Sequence, residues 1–176
     1  MIYTLTFNPC LDYTMYMPEL RTGSINRSLH ESCSCGGKGI NVSLVLRELG
    51  MQSVALGFAA GFSGNELERQ LRENGIDTDL VHLPHGMTRI NVKLRSGSTC
   101  VGADAPISGK PRCGTPDSGA ICSGAPRTDT ASSQDRGETV CETDINGAGP
   151  EITDDALDEL LARLDTLGAD DVLVLS

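Results

Sequence analysis

The run Gly36-Gly37-Lys38-Gly39 stands at the head of a helical pattern and carries the most specific chemistry in the chain. Glycines let a backbone approach a ligand closely, and the first amides of a helix lack intrahelical acceptors. With the helix dipole, such donors favour an anion or the polar rim of a sugar. The run is not a P-loop, because Gly39 occupies the place of the required Ser/Thr and Ser32 that of the first glycine. Nor is it a dinucleotide fingerprint, since Val42 stands where a third glycine belongs. By itself the run also suits a plain turn.

A second constellation is Arg89, Asn91, Lys93 and Arg95, which alternate with Ile90, Val92 and Leu94. Period-two alternation puts the four polar side chains on one strand face, about 6.6–7 Å apart at each step. That face is either solvated or able to read a phosphate, for which Lys38 and Arg27 are also available. Asp12, just after Asn8-Pro9, either shapes a turn or accepts hydrogen bonds from sugar hydroxyls. Cys33-x-Cys35 and His82-x-x-His85 lack a matched second pair, so no metal site is read from them.

The elements that must position these groups alternate between strand and helix. Strands are expected at Ile2–Phe7, at 13–17, at Val54–Ala59, at 88–95, at 139–145 and at Val172–Leu175. Helices are expected over 39–49, from a Ser63/Glu66 capping box through Asn74, and from Thr153, the last burying Leu157, Leu160, Leu161, Leu164 and Leu167. The order implies an α/β fold with a largely parallel sheet. The polar-faced strands 13–17, 88–95 and 139–145 do not suit a sheet covered on both faces, so they read as a separate small antiparallel layer. Residues 98–136 hold six Ser, five Gly, five Ala and four Pro, and only Val101, Ile107 and Ile121 as larger aliphatics. Such a stretch cannot bury enough surface to order itself, and it reads as a disordered insertion at a hairpin tip between domain segments 1–97 and 137–176.

Of the 176 residues, 14 are basic and 24 acidic, a net charge of −10 that excludes a general nucleic-acid binder. The excess is local: residues 1–97 carry nine of each sign, whereas 137–176 carry one Arg and 11 acids. The front part is thus free to keep basic clusters for anionic ligands. No run reaches the ~18 apolar residues of a membrane span. The first residues read as a mature strand rather than a signal peptide. With an odd seven cysteines a disulfide framework is not expected, and a cytoplasmic setting is.

Five blocks together resemble the PfkB carbohydrate kinases of the ribokinase-like fold, nearest the 1-phosphofructokinase and tagatose-6-phosphate kinase branch. They are Tyr3-Thr4-Leu5-Thr6-Phe7-Asn8-Pro9-Cys10-Leu11-Asp12, then Gly36-Gly37-Lys38-Gly39-Ile40-Asn41-Val42-Ser43, then Gly57 with Gly61-Phe62-Ser63-Gly64. Thr88-Arg89-Ile90-Asn91-Val92-Lys93 and Asn146-Gly147-Ala148-Gly149-Pro150-Glu151-Ile152 complete them. The likeness covers 1–97 and 137–176 and skips 98–136.

The resemblance implies the N-terminal part of a three-layer α/β/α kinase with a small β lid that covers the sugar and can clasp a second copy. It implies that Asp12, Gly36, Gly37, Lys38, Asn41 and Arg89 line a phosphosugar pocket, with Arg27 and Asn91 as weaker contributors. The implied activity is ATP- and Mg-dependent phosphorylation of fructose 1-phosphate to fructose 1,6-bisphosphate. In the family a Gly-Ala-Gly-Asp motif in the C-terminal half supplies the aspartate base. This sequence ends at Leu175-Ser176 ahead of it, and Gly147-Ala148-Gly149 is followed by Pro150 instead. The expectation is therefore a chain without its own catalytic residue or most of the nucleotide-binding segments. The alternative to an active kinase is a truncated, inactive piece that at most binds phosphosugar or pairs through its lid, and whose Val172–Leu175 edge favours aggregation.

Overall fold

The computed structural model describes residues 1–97 and 141–176. The expected insertion at 98–136 lies outside the described residues, as do residues 139 and 140 of the last expected lid strand. Eight strands and three helices follow the order β1 (Ile2–Thr6), β2 (Cys10–Met17), β3 (His30–Gly36), α1 (Lys38–Glu48), β4 (Ser53–Ala60), α2 (Gly61–Glu73), β5 (Asp77–Leu83), β6 (Arg89–Ser96), β7 (Cys141–Asn146), α3 (Asp154–Leu164) and β8 (Val172–Leu175).

They build two four-stranded sheets. The first, in the order β5-β4-β1-β8, is wholly parallel. Its strands alternate between two apolar cores, as a sheet covered on both faces requires. On one face Ala55, Ala59 and Leu80 pack with Ile40 of α1 and with Leu67 and Leu71 of α2. On the other, Leu5, Leu56, Phe58 and Val81 pack with Ala156 and Leu160 of α3. Thr4, on the α1 face of β1, shares a 2.7 Å hydrogen bond with Ser43, a buried tie between strand and helix. This α/β/α sandwich is the expected ribokinase-like architecture.

The second sheet, in the order β3-β2-β6-β7, is the lid. β6–β7 pair antiparallel as expected, and β3, which was not expected, pairs antiparallel with β2. The central pair β2–β6 runs parallel, which corrects an all-antiparallel layer. The chain leaves β2 and β3 to build α1, β4, α2 and β5, and then re-enters the lid in β2's own direction. Leu11 and Cys35 root the lid in the core beneath α2, with Ile90 packed beside them.

Two further expectations change. Ser63 does not cap α2, which begins at Gly61 with Ala60 as its cap residue. Its hydroxyl donates instead to the Thr88 carbonyl (2.7 Å), while Thr88 Oγ1 accepts from the Ala60 amide (2.9 Å). A buried carbonyl at the lid junction outcompetes the helix end, and Glu66 pairs with Arg69. On α3 Leu160 alone of the leucines is fully buried and Leu161 is 56% exposed, because four leucines subtend a wider arc than one sheet face covers, and Leu167 lies beyond the end of the helix. Thr153 caps that helix, accepting from the Ala156 amide.

Candidate functional site

The two sheets meet where β1 ends, β2 begins and α1 starts. Lid register places Cys10, Asp12, Thr14 and Tyr16 of β2 opposite Arg89, Asn91, Lys93 and Arg95 of β6, on one polar face. β7 adds Asn146, Asp144 and Glu142 to that face, and β3 adds Gly36 and Ser34.

Asp12 is the centre of the arrangement. Its Oδ1 accepts from Asn91 Nδ2 (2.9 Å) and from the Cys10 thiol (3.4 Å). Its Oδ2 faces Lys93 Nζ at 3.8 Å, and Lys93 lies 4.0 Å from Asp144. Burial pushes the Cys10 thiol up to about 11, reinforced by the Asp12 charge and opposed by Arg89. Such a thiol is inert at neutral pH. Gly36 keeps the space beside the carboxylate open: a Cβ there would stand 2.9 Å from Asp12 Oδ2.

The helix begins two residues beyond Gly36, where a Cβ would adjoin this carboxylate. Gly37, at φ 129°, is its cap residue and makes no side-chain cap bond. The first amides of α1 therefore have no side-chain cap from this residue. Gly39 permits the close approach of helix to strand, since a Cβ there would lie 2.5 Å from Thr6 Oγ1. Lys38 and Asn41 occupy the first turn with exposed side chains.

The basic residues of β6 differ in what they already hold. Lys93 pairs with two carboxylates, and Arg95 pairs with Glu142 (3.3 Å) while lying over the Tyr16 ring. Arg89 makes no ion pair among the described residues, and its Nε is buried without a partner. Among the described residues it is the β6 cation without a carboxylate partner; its side chain lies against the Cys10 thiol.

Backbone geometry thus brings Asp12, Gly36, Gly37, Lys38, Asn41 and Arg89 to one corner. Asn91 lies beneath it, bonded to Asp12. Arg27 is not brought in: it is exposed in the loop beyond the far end of the β2–β3 hairpin, which closes at Tyr16–His30. Four residues from Asp12 to Tyr16 are about 13 Å of strand. Sequence reasoning missed the roles of Cys10 and Asp144. Their alternation was visible, but the cross-strand partner that gives each its role was not.

Gly147-Ala148-Gly149 does not open a helix. Gly149 adopts φ 87° against the Asn8 side chain, and Ala148 O accepts from Asn8 Nδ2 (3.3 Å). Among the described residues no group of three or more His, Cys, Asp or Glu could hold a metal ion. His82 pairs with Glu68, and Cys33 and Cys35 sit at successive same-face positions of β3, one exposed and one buried. No helix among them is long and apolar enough to cross a membrane.

Residues 5–102 match the pfkB family of carbohydrate kinases. The chain is 32% identical, over all 176 residues, to a 1-phosphofructokinase of Bacillus subtilis, of which it spans 44%. Over 96 residues it is 40% identical to a D-tagatose-1-phosphate kinase of Bacillus licheniformis, covering 54% of this chain and 31% of that one. A crystal structure from Staphylococcus aureus named as a phosphofructokinase superposes on the whole chain and on 43% of its own, with a TM-score of 0.72 at 30% identity. Phosphofructokinase-2 of Escherichia coli, at 19% identity and a TM-score of 0.71, shares the fold. The chain spans less than half the length of these relatives.

Proposed function

The chain belongs to the pfkB family of carbohydrate kinases, and on that footing we propose that it holds the acceptor of a sugar-phosphate kinase, with fructose 1-phosphate as the favoured ligand. One observation carries the reading: an anchored carboxylate, an uncapped helix start and an unpaired arginine converge at Asp12, Gly37 and Arg89. Asp12 and Asn41 meet ring hydroxyls, the α1 amides meet the sugar rim, and Arg89 with Lys38 holds the phosphate already on the sugar. A ketohexose phosphate offers all three partners at once.

The reaction proposed for the family site is transfer of the ATP γ-phosphoryl group to the free primary hydroxyl, forming fructose 1,6-bisphosphate. Such transfer depends on an oriented hydroxyl, a base and donors around the moving phosphoryl group. Asp12 is not the base in this reading: Asn91 and Lys93 hold its carboxylate as the group that accepts from a sugar hydroxyl. The base, the ATP contacts and the magnesium ligands are assigned to family segments outside these 176 residues. By itself the chain then binds the acceptor in the cytoplasm, pairs with a second copy through its lid, and transfers nothing.

Calorimetric titration with fructose 1-phosphate, tagatose 6-phosphate and unphosphorylated fructose tests the binding. Saturable heat with a phosphorylated ketose, lost in Asp12→Ala, supports it; no heat at millimolar ligand removes it. ATP turnover by the chain alone, in proportion to added ketose ester, would overturn the division between gripping and transfer.

A further inference from the structure

We propose that Asn91 and Lys93 are positioning residues that brace the Asp12 carboxylate for the sugar, and that edge strand β7 joins the brace through Asp144. The proposal rests on the reading above that Asp12 meets a sugar hydroxyl.

Three strands converge on one carboxylate. Asn91 Nδ2 reaches Asp12 Oδ1 at 2.9 Å, and Lys93 Nζ stands 3.8 Å from Oδ2 on the neighbouring turn of the pleat. Lys93 is 4.0 Å from Asp144, the β7 residue registered opposite it. Asn91 is 7% exposed, and its Oδ1 is sealed from solvent without a partner. A ligand cannot reach that atom while the lid keeps this geometry, and one of the two N–H donors of the amide is taken by Asp12. Asn91 therefore acts on Asp12 and not on the sugar.

Lys93 separates from Arg89 by the same logic. A phosphate approaching Lys93 meets Asp12 and Asp144 on either side of it, and like-sign charge opposes the approach. Arg89 is in no ion pair among the described residues, so a phosphate there has no carboxylate to displace. The roles along β6 thus divide by position: Arg89 for the anion, Asn91 and Lys93 for the carboxylate that reads the hydroxyl. A carboxylate held in one rotamer need not be ordered on binding, which is the benefit of preorganisation.

Two measurements test this. The first needs no ligand: the Asn91 side-chain amide, identified in a 15N spectrum by its loss in Asn91→Asp, reports its bond to Asp12. Lys93→Met frees one end of the carboxylate and is expected to speed exchange of that amide with solvent about 3- to 10-fold. Lys93→Arg should restore the slow rate, and Arg89→Met should leave it unchanged. Unaltered exchange in Lys93→Met, in a variant with the parent's circular dichroism, overturns the brace whatever the chain binds. The second compares titrations with inorganic phosphate and fructose 1-phosphate. Lys93→Met should weaken the sugar ester about tenfold and leave inorganic phosphate alone, whereas Arg89→Met should weaken both. Equal loss of both ligands in Lys93→Met makes Lys93 a phosphate ligand and overturns the proposal. A parent chain that binds neither ligand sinks the proposed function, and the exchange measurement then decides the brace by itself.

Discussion

Replacing Gly36 by alanine separates the site from the fold more cleanly than any change to a charged residue. Gly36 does not occupy the left-handed region, so its backbone accepts a side chain. The new methyl would stand 2.9 Å from Asp12 Oδ2, 3.0 Å from Cys10 Sγ and 3.1 Å from Asp12 Cγ. Contacts below 3 Å force a shift, and the mobile party is the carboxylate, which must leave its rotamer. That displacement costs about 0.5–1.5 kcal/mol. Loss of glycine's freedom in the unfolded chain returns about 0.4–1 kcal/mol. The two nearly cancel, so the melting temperature should move by only a few degrees. Binding is affected quite differently. A displaced Asp12 loses its charge-assisted bond to the sugar hydroxyl, typically about 1.5–3 kcal/mol. That corresponds to a rise of about 10- to 100-fold in Kd for fructose 1-phosphate. Calorimetry and a thermal melt on the same variant read both numbers. Unchanged affinity would refute the placement of Asp12 against the sugar, and a collapse in stability would refute the claim that the carboxylate is the part that yields.

Gly57→Ala should have the opposite signature. A Cβ there would lie 2.2 Å from the Thr6 carbonyl across the β1–β4 pair, at φ 153°, and neither backbone can move aside; circular dichroism should show no cooperative fold. Acid should loosen α2. Arg69 and then Gln70 hold the Glu66 carboxyl down at about 2 against an ordinary 4.5, so its stabilisation is complete above 4.5 and disappears as pH falls through about 2. Solvent screening limits the effect to about 1 kcal/mol or less; in Glu66→Gln the decline in stability over that pH range should be shallower. On β8, Val172 and Leu175 are 54% and 69% exposed, on a strand that pairs only with β1 among the described residues. Val172→Lys with Leu175→Lys should lower self-association in sedimentation velocity, and a parent chain that is already monomeric at high concentration would contradict the liability.

What the sequence disclosed was decided by how local each signal is. β1, β4, α1 and α3 carry their period within their own residues, and their bounds move by a single residue except that α3 stops at Leu164, three residues short of Leu167. β3 reads His-Glu-Ser-Cys-Ser-Cys-Gly and exposes five of its seven residues, so no apolar alternation marks it. β5 opens Asp-Thr-Asp and is hidden by the same polarity. Neither was expected. The parallel β2–β6 pairing joins segments about seventy residues apart, and nothing in either strand records its neighbour's direction. For the site, glycine chemistry and strand alternation marked Gly36, Gly37 and Arg89 directly. The commitment of Lys93 to Asp12 and Asp144 was invisible because Asp144 arrives from a third strand.

The charge distribution makes physical sense only in this geometry. A chain of net charge −10 is a poor candidate for holding a sugar phosphate until its acids are located. Asp154, Asp155, Asp158 and Glu159 lie on α3, which packs on the face of the parallel sheet opposite α1. These four carboxylates are exposed to solvent, where charges separated by more than the Debye length of about 8 Å at physiological salt are largely screened from one another. On the polar lid face Arg89, Lys93 and Arg95 balance Asp12, Asp144 and Glu142. Within that balance Lys93 and Arg95 are already paired, and Arg89 is not. The corner therefore presents an anion with a local cation on a neutral surface. It follows that added salt should weaken phosphosugar binding with the shallow slope of one or two ion contacts, and that Arg89→Met should remove most of that slope; a steep slope surviving in Arg89→Met would move the phosphate elsewhere.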